Sequence, residues 1–222
     1  MDTVALRVSL SLAAATVAVL LPLGICAAHV LAVRDFRGKA VVEALVAVPL
    51  ILPPTVLGFY LLVVFGSRSP LGAAFEAAVG HTLAFSFAGL LLASVLVNIP
   101  FVVQPIQRAF ESVPGDVREA AACCGLTPLQ RFVRIEVPLA WPGILTAAML
   151  AFAHTLGEFG VVLMVGGSIP GETRTLSIAI YDRVQAFDDR SAGVMAAALL
   201  ATAVATLSIT TWLGRSAGRR HG

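Results

Sequence analysis

The residues able to do chemistry are few, and Glu158 and His154 form the most suggestive pair. They stand four positions apart in an apolar stretch, so a helix would place both on one face. If that stretch lies in a membrane, an acid within it is costly and normally faces a cavity or a partner. Two interpretations stay open. Glu158 reaches water near the outer surface, or it is a structural anchor or gate at the outer mouth of a path.

Enzymatic chemistry has little support elsewhere in the chain. An intramembrane enzyme needs a nucleophile beside a base, or a set of metal ligands. The sequence has no His-Glu-x-x-His and no Gly-x-Ser-x-Gly motif. Adjacent Cys123 and Cys124 could suggest metal or redox chemistry, but no second Cys or His cluster lies nearby, which favours two small helix residues. We therefore expect no catalytic residue, no metal and no cofactor.

The composition sets the environment in which these residues act. The 222 residues are 58% hydrophobic and 13% charged, with a net charge of +2. A soluble domain carries about 25% charged residues. This composition excludes a soluble enzyme, a disordered tail and a nucleic-acid-binding module, and it predicts residence in a lipid bilayer.

Five long apolar runs predict an all-α integral membrane protein formed by a single domain, residues 1–222. Each run is long enough to cross the hydrocarbon core as a helix, which satisfies its own backbone hydrogen bonds in lipid. The fourth run continues past Glu158. The expected spans are residues 8–33, 44–66, 82–104, 142–165 and 192–213.

The positive charges predict the orientation of the chain. Ten of the 15 Lys and Arg residues fall in the connections on one side of the predicted spans. By the positive-inside rule that side is cytoplasmic, with the N-terminus outside and the C-terminus in the cytoplasm. The ten residues are Arg34, Arg37, Lys39, Arg108, Arg118, Arg131, Arg134, Arg215, Arg219 and Arg220.

Prolines interrupt the predicted spans, most sharply at Pro53 and Pro54. A proline within a helix frees a carbonyl and kinks the backbone. Lipid tolerates this where neighbouring helices or a cavity re-satisfy the backbone. The pair is either a packing bend at the entrance of a span or a bend that lines a solute path.

The predicted cytoplasmic loop, residues 108–138, has the pattern of two short helices. The first is expected to stop at Gly125, which suits a left-handed C-terminal position. Thr127 to Gln130 form a capping box that begins the second helix, which we expect to end near Pro138. The loop could lie as an amphipathic helix on lipid headgroups, or insert as a knob into a groove of a soluble partner.

The spacing of residues in this loop favours the soluble partner. An acid and two alanines are followed after three residues by glycine, after nine more by isoleucine, and after one more by Val-Pro. This pattern resembles the EAA loop of ABC importer permeases, with valine in place of the usual leucine. The motif residues are Glu119, Ala120, Ala121, Gly125, Ile135, Val137 and Pro138.

Nearly the whole chain is similar to the permease subunits of molybdate importers. The matching pieces are residues 52–58, 156–160 and 169–175. Sulfate and thiosulfate permeases are similar around Gly157 and Glu158 but are usually longer at the N-terminus, so molybdate is favoured, with sulfate, thiosulfate and tungstate as alternatives. The family often has Arg where this chain has His154.

The resemblance implies a type I ABC importer permease in the bacterial cytoplasmic membrane. It would pair with a second copy of itself, with two cytoplasmic ATP-binding subunits and with an extracytoplasmic molybdate-binding protein. The chain has no Gly-x-x-x-x-Gly-Lys-Ser/Thr phosphate loop, so it is not expected to be an enzyme. A passive membrane scaffold, the other class considered, does not explain the glycine-hinged loop.

The resemblance also assigns roles to individual residues. Those in contact with the ATP-binding subunits are Glu119, Ala120, Ala121, Gly125, Ile135 and Pro138. Those of the translocation path or gate are Pro53, Pro54, Thr55, His154, Gly157 and Glu158. Those that dock the binding protein are Glu172, Arg174 and Arg183, within a mixed-charge segment for which a solvated loop is the alternative.

Overall fold

The computed structural model of the chain describes the backbone of residues 2–218 and the side chains of residues 2–206 and 208. Every regular element in this part of the chain is helical, which confirms the predicted fold class. The elements are α1 (Thr3–Val33), α2 (Lys39–Ile51), α3 (Pro54–Phe65), α4 (Pro70–Val79), α5 (Phe87–Glu111), α6 (Gly115–Cys123), α7 (Pro128–Arg131), a π turn (Phe132–Glu136), α8 (Val137–Gly157), α9 (Gly160–Gly166), α10 (Leu176–Gln185) and α11 (Asp189–Gly218).

The core is formed by α1, α5 and α8, which pack against one another along their length. Leu20 of α1, Val102 and Phe110 of α5 and Ile144 of α8 are buried in one apolar cluster. Because these helices are apolar on most of their surface, they also expose large hydrophobic side chains outward, as a lipid environment requires.

Three helical runs in the described part of the chain are long and apolar enough to cross a membrane. They are α1, α5 and the run Pro128–Gly157; α2 and α3 together would make a fourth, broken span. The predicted fifth span falls within α11. The count of five spans stays a prediction.

The second predicted span is broken, because α2 and α3 meet at an angle of 109°. Leu52 adopts an extended backbone with ψ 139°, as residues before proline do, and Pro54 then begins α3. The sequence predicts a bend at this position. In the structure the chain is not merely bent there but divided into two separate helices, α2 and α3.

The third predicted span, residues 82–104, needs correction at its start. The chain turns through residues 80–86, and α5 begins only at Phe87. The Ser86 hydroxyl accepts a hydrogen bond from the Gly89 amide at 3.1 Å, which fixes the helix start there. The preceding short helix, α4, was not expected from the sequence.

Two expectations around the fourth span are wrong. The second loop helix does not end near Pro138, because α7 continues through the π turn into α8, so that Pro138 lies inside one helical run, Pro128–Gly157. The span at residues 142–165 is not one helix either. Its helix ends at Gly157, Glu158 is extended, and α9 follows.

The mixed-charge segment is partly helical rather than a solvated loop. Within it α10 packs on α11 and on α1, with Leu176 and Ala179 buried against Ala5 and Met195. The side chains of Leu207 and of the tail arginines Arg215, Arg219 and Arg220 lie outside the described residues.

Candidate functional site

The loop between α5 and α8 is built around a left-handed glycine. Gly125 has φ +78° and follows the end of α6. Its amide donates to the Ala122 carbonyl at 2.9 Å, and the Leu126 amide donates to the Ala121 carbonyl at 3.2 Å. These two bonds form a Schellman motif, which ends α6 and reverses the chain at once. The predicted glycine turn is therefore present.

The second half of the loop begins with the predicted capping box. The Gln130 amide donates to the Thr127 hydroxyl at 3.3 Å, and the Thr127 amide donates to the Gln130 side chain at 2.9 Å. Both bonds are local, which is why four consecutive residues were enough to predict them. They fix the direction in which the chain leaves the glycine turn.

We call five exposed residues in the two halves of the loop the loop surface. It consists of exposed Glu119, Ala120, Gly125, Leu129 and Val133. Leu129 is 71% exposed and Val133 is 54% exposed, so apolar area is available for a partner. The four motif residues outside the loop surface are Ala121, which is buried, Ile135 and Val137, which are half-buried, and Pro138, which is exposed.

The two helix breaks meet at one place, where α3 packs on α9. A Cβ atom at Gly160 would stand 2.8 Å from the Cβ of Pro54, so only glycine allows this approach. On the α3 side of this contact the exposed residues are Pro53, Pro54 and Thr55. The structure therefore brings the predicted residues of the second span together with the break in the fourth.

Glu158 and His154 are neighbours, as their spacing predicts. The His154 Nε2 and a Glu158 carboxylate oxygen lie 3.7 Å apart. The other carboxylate oxygen of Glu158 accepts a hydrogen bond from the Val161 amide at 2.9 Å and so caps the start of α9. Gly157 is exposed beside them. This geometry fits the structural anchor that was one of the two interpretations of Glu158.

A polar cluster that the sequence analysis missed extends inward from His154. Asn98 is buried, and its side-chain oxygen lies 3.2 Å from His154 Nδ1. The Asn98 amide donates to the Thr155 hydroxyl at 3.1 Å and to the Ser94 carbonyl at 2.8 Å. The Thr16 hydroxyl of α1 donates to Ser94 at 2.9 Å. The sequence does contain a signal for this cluster, because its members are isolated polar residues within otherwise apolar runs.

The predicted docking residues lie on and before α10. Arg174 pairs with Asp182 at 2.8 Å, and Arg183 lies 3.4 Å from Asp188, while Glu172 is exposed. Hydrogen bonds from Ser191 hold the pKa of Asp188 below its usual value, and the charge of Arg183 lowers it further. Both arginines thus already have intramolecular acidic partners.

No group of three or more His, Cys, Asp or Glu side chains in the described residues could hold a metal ion. Cys123 and Cys124 are both exposed free thiols at the end of α6.

Two of the predicted membrane spans are broken, and their breaks lie against each other. Together with the long apolar helices and the exposed helical loop, these breaks indicate a membrane-embedded transport subunit.

The chain belongs to the family of binding-protein-dependent transport system inner membrane components, whose model matches residues 20–220. It is therefore a multi-pass inner-membrane permease, and the resemblance to ABC importer permeases is confirmed.

Two relatives support this family membership, and one solved structure has a similar fold. It is 49% identical to the molybdenum transport system permease protein ModB of Azotobacter vinelandii, over 84% of this chain and 83% of that one. It is 38% identical to ModB of Escherichia coli K12, over 97% of this chain and 95% of that one. Its fold matches a bacterial alginate ABC transporter solved in complex with an alginate pentasaccharide-bound periplasmic protein. The TM-score is 0.72 at 19% sequence identity, over 98% of this chain and 78% of that one.

Proposed function

We propose that the chain is the membrane-spanning subunit of an ATP-driven importer that moves molybdate into the cell by alternating access. The observation that carries the proposal is the loop surface, an exposed and partly apolar patch held rigid by a Schellman motif and a capping box. The names of the two relatives supply the substrate.

The loop surface is the contact for a cytoplasmic ATP-binding subunit. Small Ala120 and Gly125 permit close approach, Glu119 offers a charge, and Leu129 and Val133 offer apolar area. The chain has no phosphate loop of its own, so energy from ATP must arrive through such a contact. A rigid loop can pass the closure of that partner to the spans as a rocking motion.

The translocation path runs beside the junction of the two broken helices. In transporters, solute sites form where discontinuous helices meet. Pro53, Pro54, Thr55 and Gly157 are exposed there and can face a solute, with polar backbone and the Thr55 hydroxyl as weak contacts. Weak contacts suit release, so high affinity resides in the separate binding protein.

Glu158 stabilises this junction rather than binding the anion. A dianion about 4 Å from a carboxylate would be repelled by about 8 kcal/mol at an effective dielectric constant of about 20. The carboxylate is already engaged by the Val161 amide and lies beside His154. Its role is therefore to cap α9 and to hold α8 at the break.

The complete transporter contains two copies of the chain, two ATP-binding subunits and a binding protein on the outer side. The N-terminus lies outside and the C-terminus in the cytoplasm, which puts the loop surface inside and α10 outside. Glu172, Arg174 and Arg183 then belong to the face that receives the binding protein. Their charges determine how the binding protein is aligned on the permease and how fast the two associate, more than how tightly they bind.

The proposal is tested by uptake of labelled molybdate, tungstate, sulfate and thiosulfate into vesicles that hold the reconstituted complex. We expect ATP-dependent uptake of molybdate in preference to sulfate when each is delivered by the cognate binding protein. Preferential uptake of sulfate or thiosulfate would assign the chain to another oxyanion, and the absence of ATP-dependent uptake of all four anions would contradict the importer function.

A further inference from the structure

A buried carboxylate lies at the π turn, where the loop joins α8. Glu136 is 6% exposed and is the last residue of that turn. One carboxylate oxygen accepts a hydrogen bond from Arg118 Nε at 3.1 Å, and the other contacts His29 Nε2. A buried charge is tolerated only when it is paired and hydrogen-bonded, and here both oxygens have partners.

Arg118 connects this carboxylate to the loop surface. It lies on α6 immediately before Glu119, yet its side chain points inward and not toward a partner. Besides its bond to Glu136, it donates from Nη2 to the Phe110 carbonyl at 2.6 Å, near the end of α5. One guanidinium thus bonds two separate elements from two different nitrogens, whereas a lysine would have to reach both acceptors from one nitrogen.

His29 brings the third core helix into the same cluster. It is part of α1, and its ring packs edge-on against Phe110 of α5 and Phe132 of the π turn, with ring centroids 5.1 Å and 4.6 Å apart. These aromatic contacts fix the orientation of the imidazole toward Glu136.

We propose that Arg118, Glu136 and His29 form an anchor that couples α6 to the inner ends of α1, α5 and α8. Elsewhere α6 packs mainly on α7 and the π turn, which belong to the same loop. A displacement of the loop surface therefore reaches all three core helices through this cluster. The three residues are positioning residues, because they transmit force from the contact without touching a partner. The proposal rests on the proposed function of the loop surface.

The first test measures how many ATP molecules are hydrolysed for each molybdate taken up by the reconstituted transporter. In Arg118→Gln we expect this ratio to rise by roughly fivefold or more. The reason is that coupling between two sites of a protein typically changes an equilibrium by about fivefold or more, and this variant removes the coupling between α6 and the core helices. Arg118→Lys keeps the charge but has one nitrogen in place of the two that now bond Glu136 and Phe110, so its ratio should fall between those of Arg118→Gln and wild type. Arg37→Gln, which removes an exposed arginine outside the loop, should leave the ratio unchanged.

A ratio in Arg118→Gln equal to that of wild type would overturn the proposal, even if less protein were recovered. A lower yield alone reports reduced stability, whereas the ratio of ATP hydrolysed to molybdate taken up reports how well motion of the loop surface reaches the core helices. If Glu136→Gln raises the ratio less than Arg118→Gln does, the proposal is supported, because glutamine can still accept from Arg118 and contact His29.

The second test does not depend on transport. Amide hydrogen exchange of residues 115–123 is measured in the assembled transporter with and without Arg118→Gln. We expect exchange in α6 to become roughly tenfold faster or more, because a hydrogen bond to a buried charge is lost. Unchanged exchange would overturn the anchor. If wild type shows no coupled uptake, the proposed function fails and this measurement alone decides the anchor.

Discussion

The substitution Gly125→Asp tests the loop surface most sharply. Gly125 has φ +78° and no heavy atom within 4 Å of the position that a Cβ would take. Its replacement therefore causes no clash within the chain. The effects that remain are backbone strain and a new charge on the exposed patch.

The two effects differ in size. A side chain in the left-handed region costs about 1 kcal/mol, and less for Asp or Asn, whose short polar side chains tolerate it. An unpaired charge buried at an interface costs about 2–5 kcal/mol, which is roughly 30-fold or more in an equilibrium. We therefore expect Gly125→Asp to insert normally in the membrane but to lower molybdate uptake by roughly 30-fold or more.

The assay compares uptake and ATP hydrolysis in vesicles for Asp, Asn and Ala at this position. Gly125→Asn has the same shape without the charge and should lose far less uptake. Gly38 provides a matched control, because it also has a positive φ, +91°, and open space around it, but lies outside the loop. Gly38→Asp should retain coupled uptake.

Coupled uptake by Gly125→Asp at the wild-type level would refute the contact at the loop surface. Equal losses in Gly125→Asp and Gly125→Asn would assign the effect to the backbone and not to a partner. Equal losses at Gly38 and Gly125 would show that the loop has no special role.

Three further predictions concern the junction of the broken helices and the polar cluster that extends inward from His154. Gly160→Ala would bring its Cβ to 2.8 Å from Pro54, so we expect the unfolding free energy of the purified protein to fall by about 1–3 kcal/mol. Asn98→Ala leaves buried partners unpaired and should cost about 1–3 kcal/mol in the same measurement. Glu158→Gln keeps an acceptor for the Val161 amide and should retain uptake, whereas Glu158→Ala loses the cap of α9 and should cost about 1 kcal/mol.

Each of these predictions has its own control or contrary outcome. Gly193→Ala in α11 meets nothing within 4 Å and should not lower stability. Thr146→Ala removes an exposed hydroxyl and should be nearly neutral. Loss of molybdate uptake in Glu158→Gln, with stability retained, would mean that the charge itself acts on the solute.

Local features of the fold were predictable from the sequence. The turn at Gly125 and the capping box at Thr127 need only a few consecutive residues, so their spacing was sufficient. The bend at Pro53 follows from the covalent geometry of proline. The apolar runs predicted the helical core, because length and hydropathy decide that question in a membrane protein.

Features that depend on distant residues were not predictable. Glu136 lies within the loop motif, between Ile135 and Val137, but its partners are 18 and 107 positions away. The break after Gly157 was missed because the apolar run continues through it, and only the cap at Val161 shows where α9 begins. The start of α5 was missed because Leu83 and Ala84 are apolar yet pack as a turn against Val161 and Val165.

The most direct measurement of the central claim is molybdate uptake into vesicles that contain the chain with and without its cytoplasmic ATP-binding subunit. We predict that the two proteins copurify, that uptake requires both proteins and ATP, and that Gly125→Asp abolishes copurification or coupling. Uptake by the chain alone, or failure to associate with any ATP-binding subunit, would contradict the account.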